Sequence, residues 1–108
     1  MSKSWRLTPI AEDALFEIAL WTIETFGSDQ ANLYEQQIID KCEAIAAGST
    51  HVQDCSYLLG VNQDIGLSFT RCGGHFIVFT ELNNEIVILD FAHSKSDFAA
   101  HLVVLGAI

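Results

Sequence analysis

A chain of 108 residues, half of them hydrophobic and one a proline, is sized for a single domain (1–108) with one modest core, which argues against disorder and against two cores. Fourteen acidic residues against five basic give a formal net charge of −9. That balance repels phosphate backbones and points to a protein partner with a basic face, not to direct nucleic-acid binding.

Two further exclusions follow from the same sequence. No segment approaches the roughly 18 apolar residues of a membrane span, and residues 1–6 lack a signal peptide's apolar run. Cys42, Cys55 and Cys72 are odd in number and form no C-x-x-C pair. A cytoplasmic chain without membrane contact, disulfide framework or zinc ribbon is therefore expected.

Ser4–Leu7 suits a short edge strand. Thr8-Pro9 then opens a helix, with threonine as the cap and proline at the first helical position, where its missing N–H costs nothing. Glu12 and Asp13 fall where the helix dipole favours negative charge. Ala11, Ala14, Leu15, Ile18 and Thr22 share one face, Ile10, Phe16 and Trp21 widen it, and Gly27 stops the helix. Ser28 or Asp29 is the expected cap of a second helix, with Ala31, Tyr34, Ile38, Cys42 and Ile45 at helical spacing and an end near Gly48. The two helices make an antiparallel hairpin. Residues 49–57 read as loop, with a short strand possible at Tyr57-Leu58-Leu59.

The last third reads as a three-stranded meander followed by a short helix. Residues 65–72 suit a strand, Gly73-Gly74 a type I′ turn, His75–Leu82 a second strand, Asn83-Asn84 another turn, 85–92 a third strand, and 96–105 a helix. Two-residue loops predict the register. Cys72 should pair with His75, Thr70 with Ile77 and Phe69 with Val78; Leu82 should pair with Glu85, Val78 with Leu89 and Ile77 with Asp90. One face then carries Leu67, Phe69, Phe76, Val78, Leu82, Val87, Leu89 and Phe91 and is expected to meet the helices. The other carries Ser68, Thr70, Ile77, Phe79, Ile88 and Asp90, apolar enough to suggest an interface or a cover from the final helix. The fold class is α+β, a helical hairpin on a three- or four-stranded antiparallel sheet with a short C-terminal helix.

With these elements in order, the chain resembles the RelE/ParE superfamily of bacterial toxins, and the ParE branch in particular. The resemblance rests on Leu7-Thr8-Pro9 with Ala11 and Asp13, on Phe26-Gly27, and on Gln30-Ala31 with Tyr34. It continues through Arg71, Gly73 and His75-Phe76-Ile77-Val78-Phe79, then Ile88-Leu89, His93 with Asp97, and His101-Leu102. It implies the toxin of a type II toxin–antitoxin pair, bound and silenced by a ParD-like antitoxin. ParE relatives poison DNA gyrase, whereas RelE relatives cut mRNA on the ribosome. Cleavage of that kind needs basic residues around an acid/base group. Arg71 is the one cation of the meander, with Lys95 just beyond it, and no basic, nucleotide-sized pocket is evident from the sequence. Gyrase inhibition by protein binding is the expectation, with no cofactor.

Arg71, His75, Ile77, Phe79, Ile88, Asp90, His93 and Asp97 are the residues expected to bind target or antitoxin. The chain also departs from the family. Relatives often carry an arginine on the last strand where Asp90-Phe91-Ala92-His93 stands here, and a basic residue where Ser96 stands. The resemblance then implies either a changed target or a non-toxic module that only binds antitoxin.

Other constellations have plainer readings. His93, Asp97 and His101 fall at four-residue steps, but a capping aspartate and surface histidines explain them without a metal. Cys72 beside His75 has no third group to make an activated thiol. Arg71 is open to an ion pair with Asp90 or Asp97, and Trp5 and Trp21 read as core aromatics. Asp13, Glu17 and Glu24 read as a solvated helix face. The apolar tail from Val103 to Ile108 either packs on the sheet or enters a homodimer.

Overall fold

Across the residues described in the computed structural model, 3–54 and 66–93, the chain runs β1 (Ser4–Leu7), α1 (Pro9–Phe26), α2 (Ser28–Ala47), β2 (Gln53–Asp54), β3 (Ser68–Cys72), β4 (His75–Leu82) and β5 (Glu85–His93). The strands form one sheet in the order β1-β5-β4-β3-β2. All neighbours are antiparallel except β1, which joins β5 in parallel through Ser4 with Glu85 to Leu7 with Ile88. The expected α+β architecture is present, with β1 as the edge strand and a two-residue β2 where a loop was expected. The expected final helix, the strand at Tyr57-Leu58-Leu59 and the apolar tail lie outside the described residues. No helix among those described is long and apolar enough to cross a membrane.

Thr8 caps α1 by accepting from the Ala11 N–H at 3.2 Å, and Pro9 occupies the first turn. Gly27, at φ +93°, ends α1 by donating to the Ile23 carbonyl at 2.9 Å. The same residue begins α2: its carbonyl accepts from Ala31 N at 3.1 Å, so Ser28 is already helical and neither Ser28 nor Asp29 acts as the cap. Sharing one glycine leaves no loop between the helices and folds them sharply back on each other.

The helices present the faces their spacing predicts. Ala11, Ile38, Cys42, Ile45 and Ala46 are buried in the core, with Ala14, Leu15, Ile18 and Tyr34 packed against it. Thr22 is buried as well, and its hydroxyl is satisfied by donating to the Ile18 carbonyl at 2.7 Å. Trp5 packs against the core, whereas Trp21 is 57 % exposed and does not join it.

The sheet presents the opposite face from the one expected. Cys72, Ile77, Phe79, Ile86, Ile88 and Phe91 complete the helix-packed core, and Ile77 and Ile88 have no exposed surface. Burial of such a side chain contributes about 1.5–3 kcal/mol. Val78, Val87 and Ala92 belong to the other face and are also buried. Strands apolar on both faces carry no alternation from which orientation can be read.

Every expected β3–β4 pair is present, as is Leu82 with Glu85. Beyond Phe79 with Ile88, however, β5 carries a bulge at Leu89, so Val78 pairs with Asp90 and Ile77 with Phe91. One extra residue reverses the alternation of the strand. Phe91 thereby enters the core and Asp90 is turned away from the helices.

Asn83 and Asn84 both have positive φ, 51° and 63°, as a type I′ turn requires. At the Gly-Gly turn only Gly73 does, at +58°, which is the pattern of type II′.

Candidate functional site

The β3–β4 turn sets His75 against α2. Tyr34 reaches across from the inner face of that helix, and its hydroxyl lies 2.9 Å from the Cys72 carbonyl and 2.7 Å from His75 Nδ1. A phenol has one proton. Both contacts are satisfied when Tyr34 donates to the carbonyl and His75 donates from Nδ1, which leaves Nε2 as the acceptor nitrogen of a neutral ring. Burial, and then the neighbouring His93, holds His75 below its usual value. Burial, and then Cys72, raises the Tyr34 phenol, against a smaller opposing effect of its backbone contact at Gly74. Both groups are therefore neutral near pH 7.

Gly73 makes this arrangement possible. A Cβ there would come within 2.7 Å of Tyr34 Cε1, and the positive φ disfavours any other residue. The His75 and His93 rings sit edge to face at 5.1 Å, and Trp21 meets Phe26 in the same manner at 5.8 Å. Together with Tyr34 and Gln30 these rings line an open cleft of about 210 Å³. It offers aromatic surface with neutral hydrogen-bonding groups at its base. Among the described residues no three His, Cys, Asp or Glu side chains converge as metal ligands.

The expected site residues separate into distinct environments. His75 and His93 meet at this cleft. Ile77, Phe79 and Ile88 are 0, 6 and 0 % exposed and pack beneath the helices, so the expectation that they form an open face is corrected. Asp90 is also buried, and its carboxylate accepts from its neighbour's amide, Phe91 N, at 2.7 Å. It does not place a reversed charge on the open surface. Arg71 is exposed and donates from Nε to the Gly73 carbonyl at 3.0 Å; no ion pair with Asp90 forms. Asp97 and His101 lie outside the described residues.

A family model described as the ParE toxin of a type II toxin-antitoxin system, parDE, matches residues 5–98. The chain belongs to the ParE toxin family. Among solved structures, this ParE family member is similar to a chain of the chromosomal ParDE TA system from P. aeruginosa. The TM-score is 0.69 at 16 % identity, covering 87 % of this chain and 98 % of that one. At such identity the likeness is one of fold. No curated protein matches the sequence.

Two features of this ParE family member were absent from the sequence reading. Phe16, Leu20, Ile23 and Leu33 are exposed on the helical hairpin, and the residues that widen the apolar face of α1, Ile10, Phe16 and Trp21, stay open to solvent. Lys41 and Arg71, far apart in sequence, line one cleft along β3. Helical spacing marked Tyr34 as inward-facing, but only the tight Gly73 turn in three dimensions reveals its bond to His75.

Proposed function

We propose that this ParE family member acts by protein binding, inhibiting DNA gyrase, and is silenced by a ParD-like antitoxin docked on the helical hairpin. The observation that carries this reading is the exposed apolar surface of the hairpin. Phe16 and Leu33 are 62 and 60 % exposed, with Leu20 and Ile23 alongside. Several large apolar side chains exposed on one helical hairpin support a partner site there. It is set among Glu12, Asp13, Glu17, Glu24 and Glu35, and α1 contains no basic residue. An amphipathic segment with basic flanks complements such a surface in both respects.

The decisive experiment induces the chain alone in a bacterium carrying a DNA-damage reporter, with and without the neighbouring open reading frame. Growth arrest with reporter induction, relieved by the neighbour and restored by Phe16→Asp in its presence, supports the reading. Arrest with falling translation and no DNA damage moves the assignment to RNA cleavage of the RelE kind. Normal growth with folded protein moves it to a non-toxic antitoxin-binding module. The burial of Asp90 weakens the motive for that last alternative, because an arginine at this position would be a buried cation.

A further inference from the structure

Only five side chains of this acidic chain are lysine or arginine. Lys3 pairs with Glu81, and Arg6 with Glu85 at 2.9 Å. Lys95 lies outside the described residues. The remaining two, Lys41 from α2 and Arg71 from β3, line the same cleft of about 350 Å³, and among the described residues neither meets a carboxylate. In a chain of net charge −9, two cations lining one concavity give that concavity a local positive potential that favours an anionic ligand.

The cleft arises from the shortness of β2, which pairs only with Ser68 and Phe69. Among the described residues no strand pairs with the β3 edge from Thr70 to Cys72 on that side. His51 and Thr50 pass nearby, and Thr70 Oγ1 donates to the His51 carbonyl at 2.8 Å, which holds this wall in place. Arg71 is oriented by its Nε bond to the Gly73 carbonyl, and among the described residues its two terminal guanidinium nitrogens bond to none. A guanidinium held in this manner suits the forked oxygens of a phosphate. Phe69 and Phe76, edge to face at 5.2 Å, supply an aromatic wall, and Thr50 and Gln53 supply neutral polar groups.

We infer that this cleft binds a nucleoside monophosphate, with the phosphate between Lys41 and Arg71 and the base against Phe69 and Phe76. The size is that of a small-ligand site, with room for one nucleotide. A flat base stacks on aromatic side chains irrespective of its identity, so preference among bases is expected to be weak. The surrounding negative charge opposes a long polyanion, which makes a single nucleotide the better occupant than a nucleic-acid strand. This inference does not depend on the helical-hairpin surface or on the partner proposed for it.

The test is calorimetric titration of the full chain with adenosine monophosphate, inorganic phosphate, adenosine and a short single-stranded oligoribonucleotide. Saturable binding of the monophosphate is expected, at least tenfold tighter than phosphate or adenosine alone. Lys41→Met and Arg71→Gln should each weaken it by tenfold or more. Phe76→Leu should weaken the monophosphate without altering the response to phosphate. Arg71 is exposed and Lys41 half-buried, and far-UV circular dichroism verifies that each variant is folded. The inference is overturned by any of three results: no saturable binding at millimolar concentration, undiminished binding in both cation variants, or phosphate binding as tightly as the nucleotide. Binding of the oligonucleotide alone also overturns it, in favour of a nucleic-acid surface.

Discussion

Thr8 Oγ1 donates to the carbonyl of Leu89, the bulged residue of β5, at 3.0 Å. The same oxygen accepts from Ala11 N, and the Thr8 amide donates to the Ile88 carbonyl at 3.0 Å. One residue therefore starts α1 and holds the irregularity that turns Asp90 out of the core and Phe91 into it.

Replacing Thr8 by alanine removes both side-chain bonds. The expected cost is about 1–2 kcal/mol, typical of a lost helix cap, with the melting temperature lowered by several degrees. Thr8→Ser keeps the hydroxyl and should recover most of the loss. Equal urea midpoints for Thr8→Ala and the parent chain would show that the bulge needs no such anchor.

Gly73→Ala places a methyl group against Tyr34 on a backbone of positive φ, and should cost about 1–3 kcal/mol. Part of that cost is the collision itself. In a Tyr34→Ala background the same substitution should therefore be milder, which a double-mutant cycle measures. Strict additivity would leave backbone strain as the whole effect.

His75 gives the stability a sign with pH. Its folded value lies below the usual 6.5, because of burial and then His93, so the unfolded chain takes up the proton more readily. The contribution is complete above 6.5 and is lost as pH falls from there through the folded value. Urea midpoints taken from about pH 8 down to about pH 5 should decline on the acid side, and His75→Gln should flatten the decline. A slope that persists in the variant belongs to other groups.

Cys42 and Cys72 should be inert in the folded chain. Burial, with smaller effects of Cys72 and Glu43, pushes the Cys42 thiol up to about 12. Burial raises Cys72 as well, against the opposing charge of Lys41. Iodoacetamide near pH 8 should label neither residue in buffer and both in urea, as read by mass spectrometry. Prompt alkylation of native Cys42 would contradict its burial.

The helical hairpin and meander were legible because their signals are local: Thr8-Pro9, the glycines at 27 and 48, and the two-residue turns. The sheet's orientation was not, because Ile77 and Val78 are equally apolar and both are buried. The bulge escaped the register argument, since a turn determines pairing only until an extra residue intervenes. That single residue parted Asp90 from the face it was expected to share with Ile77 and Ile88 and set Phe91 there instead, whereas Ile88 kept its expected partner Phe79. The Lys41–Arg71 cleft was illegible for a different reason. Its cations are brought together by packing of α2 against the short-paired edge of β3, and no spacing in the sequence records that meeting.

The parallel seam between β1 and β5 joins the first described strand to the last, with Ser4 opposite Glu85 and Leu7 opposite Ile88. Contacts so distant along the chain form late, after local hairpins have paid their own entropy. During synthesis the N-terminal strand leaves the ribosome first, yet it has no seat until β5 has emerged. The helical hairpin and most of the sheet must therefore exist as a nascent, unclosed assembly while translation continues. A message truncated before residue 85 yields a polypeptide with no place for β1, so the finished fold requires translation through β5.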